Sequence, residues 1–220
     1  MNGPQDAGGR HGFGPVRPER DEPLFHADWE RRAMALTIAA GGAGQWSIDE
    51  SRHARENRDP AEYYRLSYYA LWIAGLEDLL LNNSLATEEE IATGRMMQPL
   101  PQGVTAMPAA RVPASLATGT PYDRDPGARR PAFAPGDRVQ TRNLQPRGHI
   151  RMPSYCRNRA GVISVVHGFH VFPDTSAAGD HDTAHWLYNV TFAARDLFGD
   201  GAGAEDTVAV DLWEPYLDAL

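Results

Sequence analysis

The stretch from Gly148 to Gly161, GHIRMPSYCRNRAG, concentrates residue types that do chemistry. It carries the only cysteine of the chain, Cys156, with His149 seven residues earlier and three arginines, Arg151, Arg157 and Arg159. A thiol activated by an imidazole base is a nucleophile. A lone buried cysteine more often serves as a small apolar residue. Spacing along the chain does not bring His149 to Cys156, so packing is the stronger reading.

His181 and His185 stand four residues apart, a spacing at which one helix face can offer two metal ligands. Gly179, Asp180 and Asp182 around them read instead as a solvated loop, and no third ligand stands in an obvious place. His167 and His170 flank a strand turn and fare no better. The glycine-rich GRHGFG near the start lacks the preceding strand and the immediate helix that a phosphate loop needs. No Ser-His-Asp motif is recognisable, and no metal set is expected in this chain. Tyr64, Tyr68 and Trp72 are spaced to share one helix face. Such a stripe is usually core, but tyrosine hydroxyls want partners, which favours a polar-lined groove or an interface. The residues make no complete catalytic set, and the chain reads as a subunit.

The elements that must position these residues differ between the two halves. The first half predicts helices: one over Ala27 to Ala40, and a second opened by the capping box Ser47-Ile48-Asp49-Glu50. A third starts at Asp59-Pro60 and runs unbroken through EYYRLSYYALWIAGLEDLLL to about Leu81. A short fourth begins at Thr87. Between Met97 and Pro131, seven prolines argue against a helix and for an extended linker. The last ninety or so residues predict short strands at RVQTR, AGVISVV, WLYNVTF and TVAVDLW, with Val208, Val210 and Leu212 on one face of the last. The expected fold is α+β. A helical domain over 1–96 and a proline-rich linker over 97–131 precede a small SH3-like β-barrel over 132–220.

Composition narrows the class. A net charge of -8 argues against nucleic-acid binding. No apolar run approaches the ~18 residues that span a bilayer, the start MNGPQDAGGRHGFG has no signal-peptide core, and one cysteine makes no internal disulfide. A cytoplasmic protein is expected. All 21 basic residues are arginine, which codon bias alone can produce.

MNGPQDAGG…GFGPV, EPLFHADWE, SIDESRHARE, LSYYALWIAGLE, GHIRMPSYCRNRAGVI, FPDTSA and VDLWEPYL, in this order, resemble the β subunit of nitrile hydratase. The likeness covers nearly the whole chain and leaves 97–131 as its variable part. It implies an αβ hetero-oligomer, a heterodimer or a heterotetramer, that hydrates a nitrile to its amide. The metal, cobalt or iron, would be bound by cysteines of the α subunit and not by this chain. Two of those cysteines would be oxidised to sulfinic and sulfenic forms.

By the same resemblance Arg52 and Arg151 hydrogen-bond to the oxidised sulfurs, a task suited to a planar, permanently charged fork. Tyr68 and Trp72 match the family's pocket tyrosine and aromatic, and Ile48 and Trp46 fall near its apolar wall. Trp72 points to the cobalt type and the wording MPSYCR to the iron type, with cobalt favoured. Two rival readings are a subunit of a thiocyanate hydrolase and a non-catalytic activator or binding module for metal insertion.

Overall fold

Helix starts in the first half follow the capping chemistry written into the chain. The computed structural model describes residues 2–220. Helix α1 spans Asp28–Gly41, and Glu30 Oε2 accepts the free backbone N–H groups of His26 and Ala27 at its entrance. Helix α2 spans Ile48–Glu56; Ser47 Oγ accepts from the Glu50 N–H at 3.2 Å while Glu50 reaches back to the Ser47 N–H. Helix α3, Pro60–Arg65, starts on Asp59, whose Oδ1 accepts from Ala61 and Glu62. Helix α4 covers Tyr68–Asn82. Helix α5, Glu88–Thr93, opens with the reciprocal Thr87–Glu90 box. The starts at Ser47, Asp59 and Thr87 are where the sequence put them.

Two expectations are corrected here. The helix predicted to run from Pro60 to Leu81 is two helices, because Leu66 and Ser67 adopt extended backbone, with ψ of 142° and 165°. Tyr64 therefore sits on α3, and only Tyr68 and Trp72 share α4. Prolines also do not exclude a helix from 97–131: α6 spans Val112–Thr118, entered through a 3-10 turn at Ala109–Arg111. Pro113 falls in its first turn, where a missing N–H costs no hydrogen bond. Trp46, Leu76 and Leu79 form the small core of this helical unit, which comprises Gly12–Thr120.

The second unit joins the chain up to His11 with Pro121–Leu220. Its strands are β1 (Arg138–Thr141), β2 (Ala160–Val171), β3 (Ala184–Ala193), β4 (Thr207–Trp213) and β5 (Leu217–Ala219). They form one antiparallel sheet in the order β4-β3-β2-β1-β5. The four predicted strand segments are all present, and β4 coincides with TVAVDLW. The sheet is open rather than a closed barrel: β4 pairs with β3, β5 pairs with β1, and no ladder joins β4 to β5 among the described residues. A three-residue β5 offers too little edge for closure. The long β2 carries register shifts between Ile163 and Val165 and between Val166 and Gly168, which bend it.

The core under this sheet gathers Val139, Ile150, Met152, Cys156, Tyr188, Phe192 and Tyr216, among others. Gly161 is required by close approach, since a Cβ there would lie 2.6 Å from Val190 Cγ1 and 2.8 Å from Phe192 Cε1. No described helix is long and apolar enough to cross a membrane.

Candidate functional site

In the helical unit the residues expected in the site stand on α2 and α4, with Trp46 just ahead of α2. Helix α2 begins with Ile48, an apolar side chain left 48% exposed. One residue later Asp49 is almost fully buried, and its Oδ1 accepts from Arg52 Nη1 at 3.1 Å, an i,i+3 pair on one helix face. The Arg52 side chain itself remains 38% exposed. One turn further on, Arg55 donates Nε–H to the Ser51 carbonyl at 3.0 Å and lays its guanidinium 4.6 Å from the centre of the Trp72 ring. Burial lowers the Arg55 pKa from its ordinary value.

Tyr68 opens α4 and is 64% exposed. Its ring lies 5.2 Å from that of Tyr69 and 5.7 Å from that of Trp72. Tyr68 and Arg55 both lie against the Trp72 ring, and Arg52 stands one turn before Arg55 on α2, so Arg52, Tyr68 and Trp72 belong to one cluster with Arg55 among them. Trp46 is buried against Leu76 and Leu79 and supports α4 from within the core. Tyr64 lies apart from the α4 pair, its ring against Phe13 and Tyr63.

In the sheet unit Arg151 is presented by alternation. Ile150 and Met152 on either side are buried in the core, while Arg151 is only half-buried. The Arg151 backbone N–H donates to the Tyr216 hydroxyl oxygen at 3.4 Å, and that hydroxyl donates to Asp174 Oδ1. Burial, and then the Asp174 charge, hold the Tyr216 hydroxyl well above its usual range. At the far end of the loop Asn158 takes a left-handed φ of 55°, and its N–H donates to the Thr141 carbonyl at 3.1 Å. Thr141 Oγ1 donates to the Cys156 carbonyl and accepts the Arg159 N–H. Asp6 Oδ2 accepts the Ser154 N–H at 3.0 Å, so the N-terminal segment fastens the same loop.

Cys156 is sealed in the core, and burial, with a smaller contribution from Asp6, pushes its thiol up to about 12. It stays protonated at neutral pH, which suits packing and not nucleophilic attack. His181 lies on a loop, whereas His185 is on β3 opposite His170, with its ring edge-on to Phe172. The four-residue spacing therefore never becomes a helix face. Among the described residues the group able to hold an ion is the exposed set Glu19, Glu22 and His26, which the sequence did not single out. Asp49 and Arg55 were also missed. The i,i+3 spacing of Asp49 and Arg52 could have revealed the first, but nothing local announces a stack between two helices.

Matches to known proteins run the length of the chain. The family model described as the nitrile hydratase beta subunit, N-terminal, matches residues 1–118, and the corresponding C-terminal model matches 121–219. A nitrile hydratase subunit beta from Pseudomonas putida is 38% identical over 222 residues, covering 99% of both chains. A low-molecular weight cobalt-containing nitrile hydratase subunit beta from Rhodococcus rhodochrous is 34% identical over 225 residues, again covering 99% of both. Thiocyanate hydrolase subunit alpha from Thiobacillus thioparus is 28% identical over 88 residues, 39% of this chain and 70% of its own.

Proposed function

Since the chain belongs to the nitrile hydratase β-subunit family, we propose that it acts in an αβ hetero-oligomer in which Arg52 and Arg151 grip oxidised cysteine ligands of the α subunit. The observation that carries this reading is the state of Arg52. One N–H of its fork is engaged by a buried carboxylate, and more than a third of the side chain remains accessible to another anion. That is how an arginine is pre-aimed: one contact fixes its orientation, and the remaining donors await a partner. Arg151 is aimed differently, by buried neighbours on both sides and by a backbone bond to Tyr216.

A thiolate cluster has to come from the partner. The single cysteine here is buried and held protonated, so this chain's contribution to the centre is hydrogen-bond donors. A cobalt or iron ion in the α subunit would supply Lewis-acid polarisation of the nitrile or activation of water. The cobalt-containing relative supports cobalt. Tyr68, an exposed residue, carries a hydroxyl able both to donate and to accept, which can hold water or substrate. Trp72 and Ile48 supply apolar wall around the substrate chain, and Trp46 backs that wall from the core. The curled sheet, with its bent β2 shared between β1 and β3, is an opened SH3-like barrel in this reading. The segment 97–131 serves as a linker with about two turns of helix in it, and the complex works in the cytoplasm.

The thiocyanate hydrolase reading draws on a likeness to less than half of this chain. The activator reading leaves the Arg52–Tyr68–Trp72 cluster without a task. The test is co-expression with the α subunit, metal analysis of the purified complex, and parallel assays with a nitrile and with thiocyanate. Amide formation by a stable, metal-loaded complex is the expected result. Thiocyanate hydrolysis without nitrile hydration would overturn the proposal.

A further inference from the structure

Arg55 ties α2 to the aromatic face of α4. Its Nε–H is fixed by the Ser51 carbonyl on its own helix, and its guanidinium lies within cation–π range of Trp72, at 4.6 Å from the ring centre. The stem between them runs past Gly75, one turn along α4 from Trp72. A Cβ at Gly75 would come within 2.6 Å of Arg55 Cγ and 3.2 Å of the Arg55 backbone nitrogen. The notch that admits the stem therefore exists because position 75 has no side chain. Arg55 is also partly desolvated, the condition under which a cation–π contact is strongest. The other aromatic neighbours of Trp72 are Tyr68 and Tyr69, with ring centres 5.7 and 5.8 Å away and planes tilted by 51° and 58°.

We infer that Arg55 is a positioning residue: by stacking on Trp72 across the α2–α4 packing, it sets the orientation of that indole and so the preference of the pocket for aromatic over small aliphatic nitriles. This rests on Trp72 lining the substrate pocket, as proposed above. A flat aromatic substrate makes its contact over the whole face of a ring and needs that ring held at one angle. A two- or three-carbon nitrile touches little of it. Releasing the indole therefore acts on KM for aromatic substrates and leaves kcat nearly unchanged, because Arg55 is assigned no contact with the reacting atoms.

The experiment compares kcat and KM for benzonitrile and propionitrile in metal-loaded αβ complexes carrying Arg55→Met, Arg55→Lys or Trp72→Leu. Arg55→Met fills the notch without charge and should raise the benzonitrile KM roughly fivefold to tenfold, with propionitrile constants within about twofold of the parent. Arg55→Lys restores a cation and should recover most of the difference. Arg55→Gln, uncharged and able to keep the bond to Ser51, takes the place of Arg55→Met if that variant does not assemble. An unchanged benzonitrile KM in the uncharged variant, alongside a changed one in Trp72→Leu, overturns the role of Arg55 while leaving the pocket intact. Unchanged constants in Trp72→Leu overturn the pocket assignment and the inference together.

Discussion

Replacing Arg52 by lysine separates the two tasks given to this side chain. In the structure its Nη1 bonds a carboxylate side chain that is 1% exposed, while the Arg52 side chain as a whole is 38% exposed. Lysine keeps the charge but is a compact donor on a flexible stem. It can satisfy Asp49 or an anionic oxygen of the partner, and it lacks the fork that reaches both at fixed angles. The stability cost is small, because a pair with one partner more than a third exposed is worth about 1 kcal/mol or less. Taken over the whole 220-residue chain, that lowers Tm by about 2–4 °C. The catalytic cost is larger: losing one bond to a charged group in a closed site costs about 1.5–3 kcal/mol. At about 1.4 kcal/mol per decade, that is roughly a ten- to hundredfold loss of rate. The assay is turnover per bound metal in the assembled complex, with thermal unfolding of the same preparation. Arg151→Lys should behave alike, and Arg159→Lys, at an exposed position whose backbone alone is tied to Thr141, is the control. If Arg52→Lys and Arg151→Lys turn over as fast as Arg159→Lys, the clamp assignment is wrong.

Cys156→Ser should keep most of its turnover and lose about 1–3 kcal/mol of stability, since a hydroxyl replaces a thiol in a sealed core. Loss of activity in an assembled, metal-loaded complex would revive the nucleophile. Tyr68→Phe keeps the ring contacts with Tyr69 and Trp72 and should weaken steady-state kinetics several-fold. Unfolding should stay within about 0.5 kcal/mol of the parent, and unchanged kinetics would make the hydroxyl a bystander. Gly161→Ala drives a methyl against Val190 and Phe192 and should destabilise the complex by about 1–3 kcal/mol, measured by denaturant unfolding; a neutral result would mean that β2 shifts freely. Glu90 accepts backbone N–H groups from Met97, Gln98 and Thr87, and these bonds, Met97's foremost, hold its carboxyl down at about 2. Because the folded pKa is depressed, this contribution is complete above the ordinary value of 4.5 and is lost as pH falls through about 2. Amide exchange at Met97 and Gln98 should therefore stay slow to about pH 4 and rise relative to the intrinsic rate below it. Equal protection at pH 2 and pH 5 would contradict the assignment.

By itself the sequence determined the features whose causes lie within a few residues. The box Ser47–Glu50 and the helix starts at Asp59-Pro60 and Thr87 appear where they were read, because a cap and the N–H it satisfies are separated by three residues or fewer. TVAVDLW became β4 because alternation is a local pattern with a period of two. Family membership was equally legible, since seven short motifs kept their order along the chain.

Only the tertiary structure decided the rest. EYYRLSYYALWIAGLEDLLL has helical composition throughout, yet the chain breaks at Leu66 and Ser67. Propensity differences of a few tenths of a kcal/mol per residue yield to packing. A three-residue strand such as β5 has no period to read, and whether a sheet closes depends on edges far apart in the chain. The burial that holds Cys156 protonated is set by strands and loops from across the second unit. Arg55 meets Trp72 because two helices pack with a glycine between them. No spacing within either helix encodes that meeting, because it arises from contact across space and not from order along the chain.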